Sequence, residues 1–309
     1  MYKAKSLMFL YAVTPVHMGA GQALGVIDNP IQRERHTEHP SLAGAGLKGA
    51  FRHAASVTWN DPKAVAKVFG PERDASDHAG AIAFADAQLV AFPVRSLRGG
   101  FVYATSPLTL ARLQRLAGVA GLENIPKEAI SSPADDEAVV LNDDLLSPGP
   151  GGERRLVLES YAFEPRGATE QCSALAAWLA ETALPEGDGF AFFREKIRRD
   201  LVVLSDSQLS FFARNATSVE PHVRIDDETG TADDGGLFFT ENLPPESVMV
   251  SLAMASDERR RKNDSANGCE TAIAILERVA GEFDGRPLQV GGDATTGRGQ
   301  VIVRFVKEA

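Results

Sequence analysis

The stretch KAKSLMFLYAV at residues 3–13 is where the fold of this chain begins. Seven apolar residues in a row, from Leu7 to Val13, are followed by Thr14 and Pro15. A short apolar and aromatic run that ends at a proline predicts a buried β-strand. A membrane-spanning helix needs about 20 apolar residues, so the run is too short to span a bilayer. It is also short for the apolar region of a signal peptide, and no small-residue cleavage site follows it.

The residues after this strand predict a long connection and then a helix. Residues 17–46 are rich in glycine, histidine and charged residues, and loops of this length within a compact domain usually have a function. From Gly46 onward, apolar residues recur at helical spacing, at Leu47, Ala50, Phe51 and Ala54. Lys48 and Arg52 are four residues apart, so they share another face of the predicted helix.

The remaining pattern predicts an α+β fold. Further strands are predicted at 81–92, 100–105, 156–163, 247–254 and 300–306, and helices at 107–116, 170–181, 190–200 and 266–282. A strand, a crossover helix, further strands, a second helix and a closing strand fit a ferredoxin-like, or RRM-like, core. We expect a single domain over residues 1–309 whose core is formed by approximately 1–120 plus 247–309.

The region inserted into this core, approximately 121–246, contains two distinct segments. Residues 217–241 consist of two apolar runs around an Asp- and Gly-rich tip, which predicts a β-hairpin. Residues 124–154 are polar, acidic and rich in Pro and Gly, and we interpret them as a mobile insertion.

The net negative charge of the chain does not exclude a nucleic-acid-binding function. The net charge of −10 taken alone argues against a nucleic-acid binder. However, residues 1–60 carry six Lys and Arg against three Asp and Glu. Because salt screens charges that lie farther apart than about 8–10 Å, a local basic face can attract phosphate on an acidic protein. The two cysteines, Cys172 and Cys269, are too few for a disulfide framework, so a reducing, cytoplasmic location is expected.

The glycine-rich segment GGDATTGRG at residues 291–299 is the first candidate for a phosphate contact. Its glycine spacing is that of a nucleotide-binding phosphate loop, but Arg298 and Gly299 replace the required Lys and Ser or Thr. It also precedes a strand rather than a helix, so a nucleotide-hydrolysing enzyme is disfavoured. Two interpretations remain, a tight structural turn or a cradle whose backbone N–H groups bind a polyanion. The candidate residues are Gly292, Thr295, Thr296, Gly297, Arg298 and Gly299.

The segment SLAGAGLKGAFR at residues 41–52 is the second candidate. Small residues open the predicted helix, so its free N–H groups are accessible, and the helix dipole favours an anion there. Lys48 and Arg52 would extend this positive edge. The alternative is an ordinary solvated helix face.

The segment GVIDNPIQR at residues 25–33 contains Asp28, the only carboxylate before Arg33. An Asp before Asn-Pro most commonly caps its own turn. The functional alternative is a carboxylate held beside a bound phosphodiester, as a metal ligand or a polar catalyst. His17 lies upstream in the same connection and is a possible assistant.

Several segments, in order along nearly the whole chain, together resemble one family. They are His17-x-Gly19-x-Gly21, Asp28-x-Pro30-Ile31-Gln32-Arg33, Gly46-Leu47-Lys48-Gly49-Ala50-x-Arg52, Thr105-Ser106-Pro107-Leu108, and residues 79–87, 219–227, 236–244 and 291–299. They resemble the RAMP superfamily and, within it, the backbone subunit of the Cmr-type (type III-B) CRISPR effector complex.

The resemblance implies a fold and a set of partners. Subunits of this kind have an RRM-like palm and a β-hairpin thumb, and they stack as a helical filament on one guide RNA. The expected partners are therefore CRISPR guide RNA, target RNA, further copies of this chain and other subunits of the complex, with no membrane. Because guide pairing reads the sequence, the protein needs only shape and phosphate contacts.

The resemblance also implies roles for individual residues. Asp28 matches the catalytic aspartate, which implies cleavage of target RNA with a divalent metal ion, Mg²⁺ or Mn²⁺, held by Asp28. The residues expected to contact RNA are Arg33, Lys48, Arg52, His222, Arg224 and the candidates of the glycine-rich segment. The alternatives are a non-catalytic structural filament subunit and a stand-alone guide-processing ribonuclease of the same superfamily.

Overall fold

The computed structural model of the chain describes residues 2–21, 25–71, 78–126, 130–149, 151–259 and 269–306. Its strands are β1 (Ala4–Ala12), β2 (Ser41–Leu42), β3 (Ile82–Phe84), β4 (Ala87–Arg95), β5 (Phe101–Thr105), β6 (Glu137–Val140), β7 (Leu146–Pro148), β8 (Arg154–Leu158), β9 (Tyr161–Gly167), β10 (Leu201–Val203), β11 (Ser218–Ile225), β12 (Ala232–Asn242), β13 (Val248–Ala255), β14 (Pro287–Gln289) and β15 (Gln300–Phe305). Its helices are α1 (Gly44–Thr58), α2 (Pro62–Phe69), α3 (Pro107–Ala120), α4 (Glu170–Thr182), α5 (Asp188–Asp200), α6 (Asp206–Asn215) and α7 (Ala272–Phe283).

Most of the strands form one large mixed sheet. Its order is β14-β15-β1-β13-β4-β5-β10-β6-β9-β8-β7, and β2 and β3 pair with β4 and β13. Neighbours from β14 to β5 are antiparallel, whereas β5 with β10 and β6 with β9 are parallel. The mixed α+β class predicted from the sequence is confirmed.

Strand β1 lies near the centre of the antiparallel part of this sheet. Met8 and Leu10 point into one hydrophobic core, which α1 and α7 cover, and Leu7, Phe9 and Tyr11 point into a second core on the other face. A strand buried on both faces has no polar side to alternate with, which is why residues 7–12 form a continuous apolar run.

Helices α1 and α7 cover the first core at the sheet unit β15-β1-β13-β4. Phe51 of α1 stacks on Phe84 with ring centroids 4.5 Å apart and meets Phe283 of α7 edge-on at 5.1 Å. Offset and edge-on aromatic pairs add about 0.5–1.5 kcal/mol beyond their buried area. Among the described residues, no helix is both long enough and apolar enough to cross a membrane.

The region inserted into this unit has more regular structure than the sequence predicts. The segment 124–154, which the sequence analysis interprets as a mobile insertion, contains β6 and β7, and β6 pairs with both β10 and β9. The strand predicted at 156–163 is two strands, β8 and β9, with the chain turning at Glu159 (φ +50°). The pairings of β6 with β10 and β9 join segments that are far apart in sequence, so local residue patterns do not reveal them.

Two further predictions need correction. The strand predicted at 81–92 is broken between β3 and β4, and in the break the Asp86 carboxylate accepts a hydrogen bond from the Gly44 N–H at the start of α1 (2.7 Å). Helices α2 and α6 were not predicted. By contrast, α3 begins at Pro107 as expected, and Ser106 forms a capping box with Thr109.

Strands β11 and β12 form a separate two-stranded sheet at the position predicted for a hairpin. Pro221 lies opposite Phe239 in this hairpin. The Phe239 carbonyl bonds outward, to the Asn29 N–H (3.0 Å), so this pair does not exchange hydrogen bonds across the hairpin. The missing N–H of Pro221 is therefore tolerated, and the outer edge of β12 faces the 25–33 loop.

Candidate nucleic-acid interface and cleavage site

The loop that carries Asp28 lies along the outer edge of β12. Asn29 forms a parallel bridge with Thr240: its N–H donates to the Phe239 carbonyl, and its carbonyl accepts from the Glu241 N–H (3.0 Å each). The Asp28 Oδ2 accepts a hydrogen bond from the Phe239 N–H (2.7 Å). The Asp28 carboxylate is thus bonded to a strand 211 residues away, which local turn chemistry does not explain.

His17 is held at the same strand. Its Nδ1 lies 2.7 Å from the Glu241 carbonyl oxygen. A carbonyl can only accept, so Nδ1 carries the proton, and in the neutral imidazole Nε2 is then the free acceptor. The site therefore selects the tautomer in which Nε2 can take up a proton.

The glycine-rich segment packs against the backbone of His17. The Gly292 N–H donates to the His17 carbonyl oxygen (2.8 Å). A Cβ at Gly291 would lie 2.2 Å from that same oxygen, and Gly291 has a φ of +78°. Both the close approach and the left-handed backbone require glycine at residue 291.

The glycine-rich segment itself folds as a compact turn. A short 3-10 turn spans Ala294–Thr296, and the Thr296 hydroxyl donates to the Asp293 carbonyl (2.8 Å). Thr295 and Thr296 are exposed, and Gly297 has a positive φ (+82°). Gly299 also has a positive φ, and its N–H donates to the Pro15 carbonyl (2.8 Å). The segment is a structural turn in this chain, and its use as a phosphate cradle stays a prediction.

Arg298 leaves this turn and points into the protein. It is 6% exposed, and its guanidinium donates to Glu220 Oε2 (2.7 Å), His222 Nε2 (3.1 Å) and Asn242 Oδ1 (3.2 Å). Asp293 Oδ2 lies 3.3 Å from Nη1, so two carboxylates offset the charge of Arg298. Arg298 therefore joins the glycine-rich turn to the base of the hairpin.

His222 and Arg224 lie two residues apart on β11, and the pairing with β12 becomes irregular between Val223 and Ile225, on either side of Arg224. The His222 ring stacks on Phe238 of β12, with centroids 5.1 Å apart, and its Nε2 accepts from Arg298. Arg224 is exposed and lies closer to the hairpin tip.

The Lys48 and Arg52 pair lies on α1 as predicted. The Arg52 Nη1 donates to the Gly70 carbonyl at the end of α2 (2.7 Å). Lys48 is half-buried, and burial lowers its pKa, with the charges of Arg259 and Arg52 acting in the same direction. Lys48 thus lies near two guanidinium groups, those of Arg259 and Arg52, so this part of the surface is locally positive and suitable for a phosphate.

Met18 connects α1 to the glycine-rich turn. The Ala43 N–H, just before α1, points to the Met18 sulfur (3.1 Å), and a Cβ at Gly46 would lie 3.0 Å from the Met18 Cε. A Cβ at Gly291 would lie 3.3 Å from the Met18 nitrogen. The two predicted phosphate-binding segments, 245 residues apart between Gly46 and Gly291, therefore both pack on Met18, and the glycine-rich turn also packs on the backbone of His17.

The guanidinium of Arg33 forms its hydrogen bonds and ion pair with groups of the protein itself. It forms a salt bridge with Glu241 and donates to the carbonyls of Glu38 (2.6 Å) and Ala213 (2.9 Å). The Glu241 carboxylate also accepts from the Ile31 N–H (3.1 Å). This geometry suits a structural role better than the phosphate contact that the resemblance implies.

The sequence analysis did not single out Glu220 or Glu241. Glu241 was visible only as an acid at the end of the apolar run 237–239, and at 3% exposure it is one of the most buried acids described. An acid within two residues of such a run is the signal that could have indicated a buried, paired carboxylate. Glu220 carried no comparable signal.

Within the described part of the chain, no three His, Cys, Asp or Glu side chains lie close enough together to hold a metal ion. Asp28 thus supplies one hard oxygen donor, of the type that Mg²⁺ and Mn²⁺ prefer. RNA phosphates and water would have to complete the coordination of such an ion.

Comparison with known families and proteins identifies relatives over nearly the whole chain. The model of the RAMP superfamily matches residues 9–302. The chain is 35% identical over 303 residues to the Pyrococcus furiosus protein named "CRISPR system Cmr endoribonuclease Cmr4", covering 96% of this chain and 94% of that protein.

Solved structures agree with this relationship. The fold is similar to the crystal structure of oligomeric Cmr4 from Pyrococcus furiosus, with a TM-score of 0.72, 26% identity and coverage of 98% of this chain and 99% of that one. It is also similar to a chain in the cryo-EM structure of the type III-B Cmr-β complex bound to cognate target RNA. There the TM-score is 0.71 at 20% identity, with 98% of each chain covered.

Proposed function

This chain belongs to the RAMP superfamily, and on that premise we propose that it is the backbone subunit of a type III-B CRISPR RNA-guided effector complex. In this proposal, copies of the chain bind guide RNA as a helical filament, and each copy cleaves complementary target RNA once, at regular intervals. Its nearly full-length similarity to a Cmr endoribonuclease and to a chain in a complex with target RNA supports the assignment.

One observation carries the cleavage part of the proposal. Asp28 and His17, which are 11 residues apart in a long loop, are both anchored to β12, at Phe239 and Glu241. Strand residues two apart are separated by about 7 Å, and both side chains are reached from the same edge. That spacing is suitable for a carboxylate and an imidazole that act on one ribose–phosphate unit.

The palm and thumb of the proposal correspond to two parts of the fold. The antiparallel unit β15-β1-β13-β4, with α1 after β1 and α7 after β13, has the order of a split ferredoxin-like unit and would be the RRM-like palm. The hairpin β11-β12 would be the thumb that wedges into the guide–target duplex. Its exposed Val223, Ile225 and Leu237 are suitable for packing on unstacked bases.

The guide strand would follow the positive face at α1 and the glycine-rich turn. Lys48 and Arg52 would bind its phosphates, together with the exposed residues of the turn, Gly292, Thr295, Thr296 and Gly297. Arg298, buried in ion pairs, would instead set the angle between the turn and the thumb. His222 and Arg224 would contact RNA along the thumb.

The chemistry follows from positioning. Forcing one nucleotide out of the stack costs a few kcal/mol and frees its 2′-hydroxyl to align with the adjacent phosphorus. Nε2 of His17 would accept the hydroxyl proton as the 2′-oxygen bonds to phosphorus. The bond from phosphorus to the 5′-oxygen of the next nucleotide would break, and this oxygen would take a proton from water, which gives a 2′,3′-cyclic phosphate and a 5′-hydroxyl. Asp28 Oδ1 would polarise the attacking hydroxyl or hold a divalent ion. Such an ion would supply charge stabilisation at the phosphate. Holding the hydroxyl, the phosphorus and the leaving oxygen in line is the main contribution of the chain.

The deciding experiment uses the complex assembled with guide RNA and an end-labelled target. The wild-type complex is expected to give regularly spaced products. Asp28→Asn keeps an oxygen that can accept from the Phe239 N–H, so the variant complex should bind guide and target RNA normally. It should give little or no cleavage at the regularly spaced sites. Undiminished cutting by Asp28→Asn would remove Asp28 from the chemistry, and an uncut target with the wild type would favour the non-catalytic filament subunit.

A further inference from the structure

Glu241 contacts three parts of the proposed site. Its carboxylate accepts from the guanidinium of Arg33, from the Ile31 N–H (3.1 Å) and from the Thr217 hydroxyl (2.7 Å). Its backbone N–H donates to Asn29, and its backbone carbonyl accepts from Nδ1 of His17. One residue thus touches the loop of Asp28, the ring of His17 and the base of the hairpin.

Arg33 completes this arrangement from the other side. One of its guanidinium nitrogens bonds the carbonyls of Glu38 (2.6 Å) and Ala213 (2.9 Å), and the other reaches Glu241. Arg33 therefore ties its own loop to the end of α6, directly before the hairpin begins. The side chains of Arg33 and Glu241 are 18% and 3% exposed, so water does not screen the pair strongly.

A buried ion pair is a poor device for stability alone. Desolvation of both charges can exceed their attraction, and apolar residues of similar volume are often as stable. The best-attested use of such a pair is to fix one register among alternatives. Here the register is that of the 28–33 loop along the edge of β12.

We propose that Arg33 and Glu241 form a positioning pair that sets the placement of Asp28 relative to His17, and that Arg33 does not contact RNA phosphate. The proposal rests on the function proposed above. Without the pair, the Asp28 loop loses its side-chain links to Glu241 and to the end of α6. It keeps its backbone bonds to β12 at Asn29, the bond from Phe239 to Asp28, and the bonds that Pro30 and Gln32 make to Ala20 and Met18 (2.9 and 2.8 Å). A shift of about 1 Å at a reacting group lowers a rate on the order of 100-fold.

A double-mutant cycle on the assembled, guide-loaded complex tests this. The variants are Arg33→Ala, Glu241→Ala and the two combined, with single-turnover cleavage and target affinity measured for each. We expect each single change to slow cleavage on the order of 100-fold, with target affinity within about twofold and the salt dependence of binding unchanged. The double variant should be no slower than the slower single variant, because residues that act as a unit are non-additive. Glu241→Gln, which keeps the acceptor for Ile31, should recover part of the rate.

A matched control lies on the same two elements. Arg214 and Glu38 form an exposed ion pair (2.8 Å) between α6 and the same loop, so Arg214→Ala with Glu38→Ala should leave the cleavage rate unchanged. Because loss of one buried charge can unfold the chain, the melting temperature of each variant is measured. Thr217→Val is a milder change, since it removes only the hydrogen bond from the Thr217 hydroxyl to Glu241. If Thr217→Val folds normally, it should slow cleavage with no change in target affinity.

Three outcomes would overturn the inference: additive effects in the cycle, weakened target binding with a smaller salt dependence in Arg33→Ala, or full cleavage by folded Arg33→Ala/Glu241→Ala. Failure of the proposed function is distinguishable from all three, because in that case the wild-type complex itself leaves the target uncut.

Discussion

Asp28 and His17 bind the same edge of β12, at strand residues that are two positions apart. The carboxylate of Asp28 accepts a hydrogen bond from the Phe239 N–H, and the imidazole of His17 donates one to the Glu241 carbonyl. Neither side chain touches the other in the contacts that the described residues make. The strand, rather than a direct hydrogen bond, therefore sets their separation. Changes at either residue should consequently act on chemistry without disturbing assembly.

The first prediction concerns the acceptor nitrogen of His17. His17→Asn can still donate from its side-chain amide to the Glu241 carbonyl, but it has no basic nitrogen. We expect the single-turnover cleavage rate to fall about 100-fold or more, the range typical for loss of a general base. Target affinity should stay unchanged. His53→Asn, at an exposed histidine on α1, is the control, and equal rates for His17→Asn and the wild type would exclude His17 from the reaction.

The second prediction concerns the positive face on α1. Lys48→Ala with Arg52→Ala should weaken guide loading and reduce the slope of log affinity against log salt by about 1–1.5, since each phosphate contact on a single strand contributes about 0.7. The control is Lys5→Ala with Arg115→Ala, which removes two exposed cations that lie on β1 and α3, outside the proposed path of the guide strand. Equal slopes in the two double variants would contradict a phosphate role for Lys48 and Arg52.

The third prediction concerns the glycine at the closest approach to His17. Gly291→Ala would bring a Cβ to 2.2 Å from the His17 carbonyl oxygen at a φ of +78°. We expect a loss of about 1–3 kcal/mol in the free energy of unfolding and slower cleavage, because the backbone of His17 must move. Gly281→Ala, on α7 with open space around it, should instead be neutral or stabilising by up to about 1 kcal/mol. Urea unfolding of both variants measures the difference.

The fourth prediction concerns Glu246, which contacts the hydroxyl of Tyr11 beneath the hairpin. Burial raises the pKa of Glu246 to about 7. Between the ordinary carboxyl pKa and about 7, the folded chain keeps a proton that the unfolded chain releases, so stability falls as pH rises through this window. The wild-type melting temperature should therefore drop between pH 5 and 7.5 by about 1–3 °C more than that of Glu246→Gln. Parallel curves for the two proteins would contradict this.

Local patterns predicted those elements whose signals are local. The buried strand at residues 4–12 was visible as an apolar run, α3 as a proline and a Ser106 cap, and the hairpin as two apolar runs around an Asp-Gly tip. The strands β6 and β7 were missed because β6 is stabilised by parallel pairing with β9, across more than 20 residues of chain. No periodicity in the acidic stretch indicates that pairing.

In the candidate site as well, some residues could be identified from the sequence and others only from the tertiary structure. Asp28, His17 and the glycine-rich segment stood out by residue type and spacing, and the chain brings all three to one place. Arg298 and Arg33 were predicted as phosphate contacts because an arginine in a loop shows its charge but not its partners. Their carboxylates, Glu220 and Glu241, are 78 and 208 residues away in sequence, so only the tertiary structure pairs them.

The last prediction concerns the divalent ion. Asp28 supplies a single carboxylate, and no described group of three ligating side chains supplements it. An ion at Asp28 would therefore bind weakly to the protein alone and exchange freely, so a chelator should remove it without unfolding the chain. We expect EDTA to abolish cleavage of target RNA by the assembled complex and to leave guide and target binding intact, with Mg²⁺ or Mn²⁺ restoring the cuts. Cobalt(III) hexammine, which carries charge but offers no open coordination position, should fail to restore them. Full cleavage in EDTA would show that His17 and the positioning of the RNA are sufficient without an ion. Rescue by cobalt hexammine would show that the ion acts by screening charge rather than by direct ligation to Asp28.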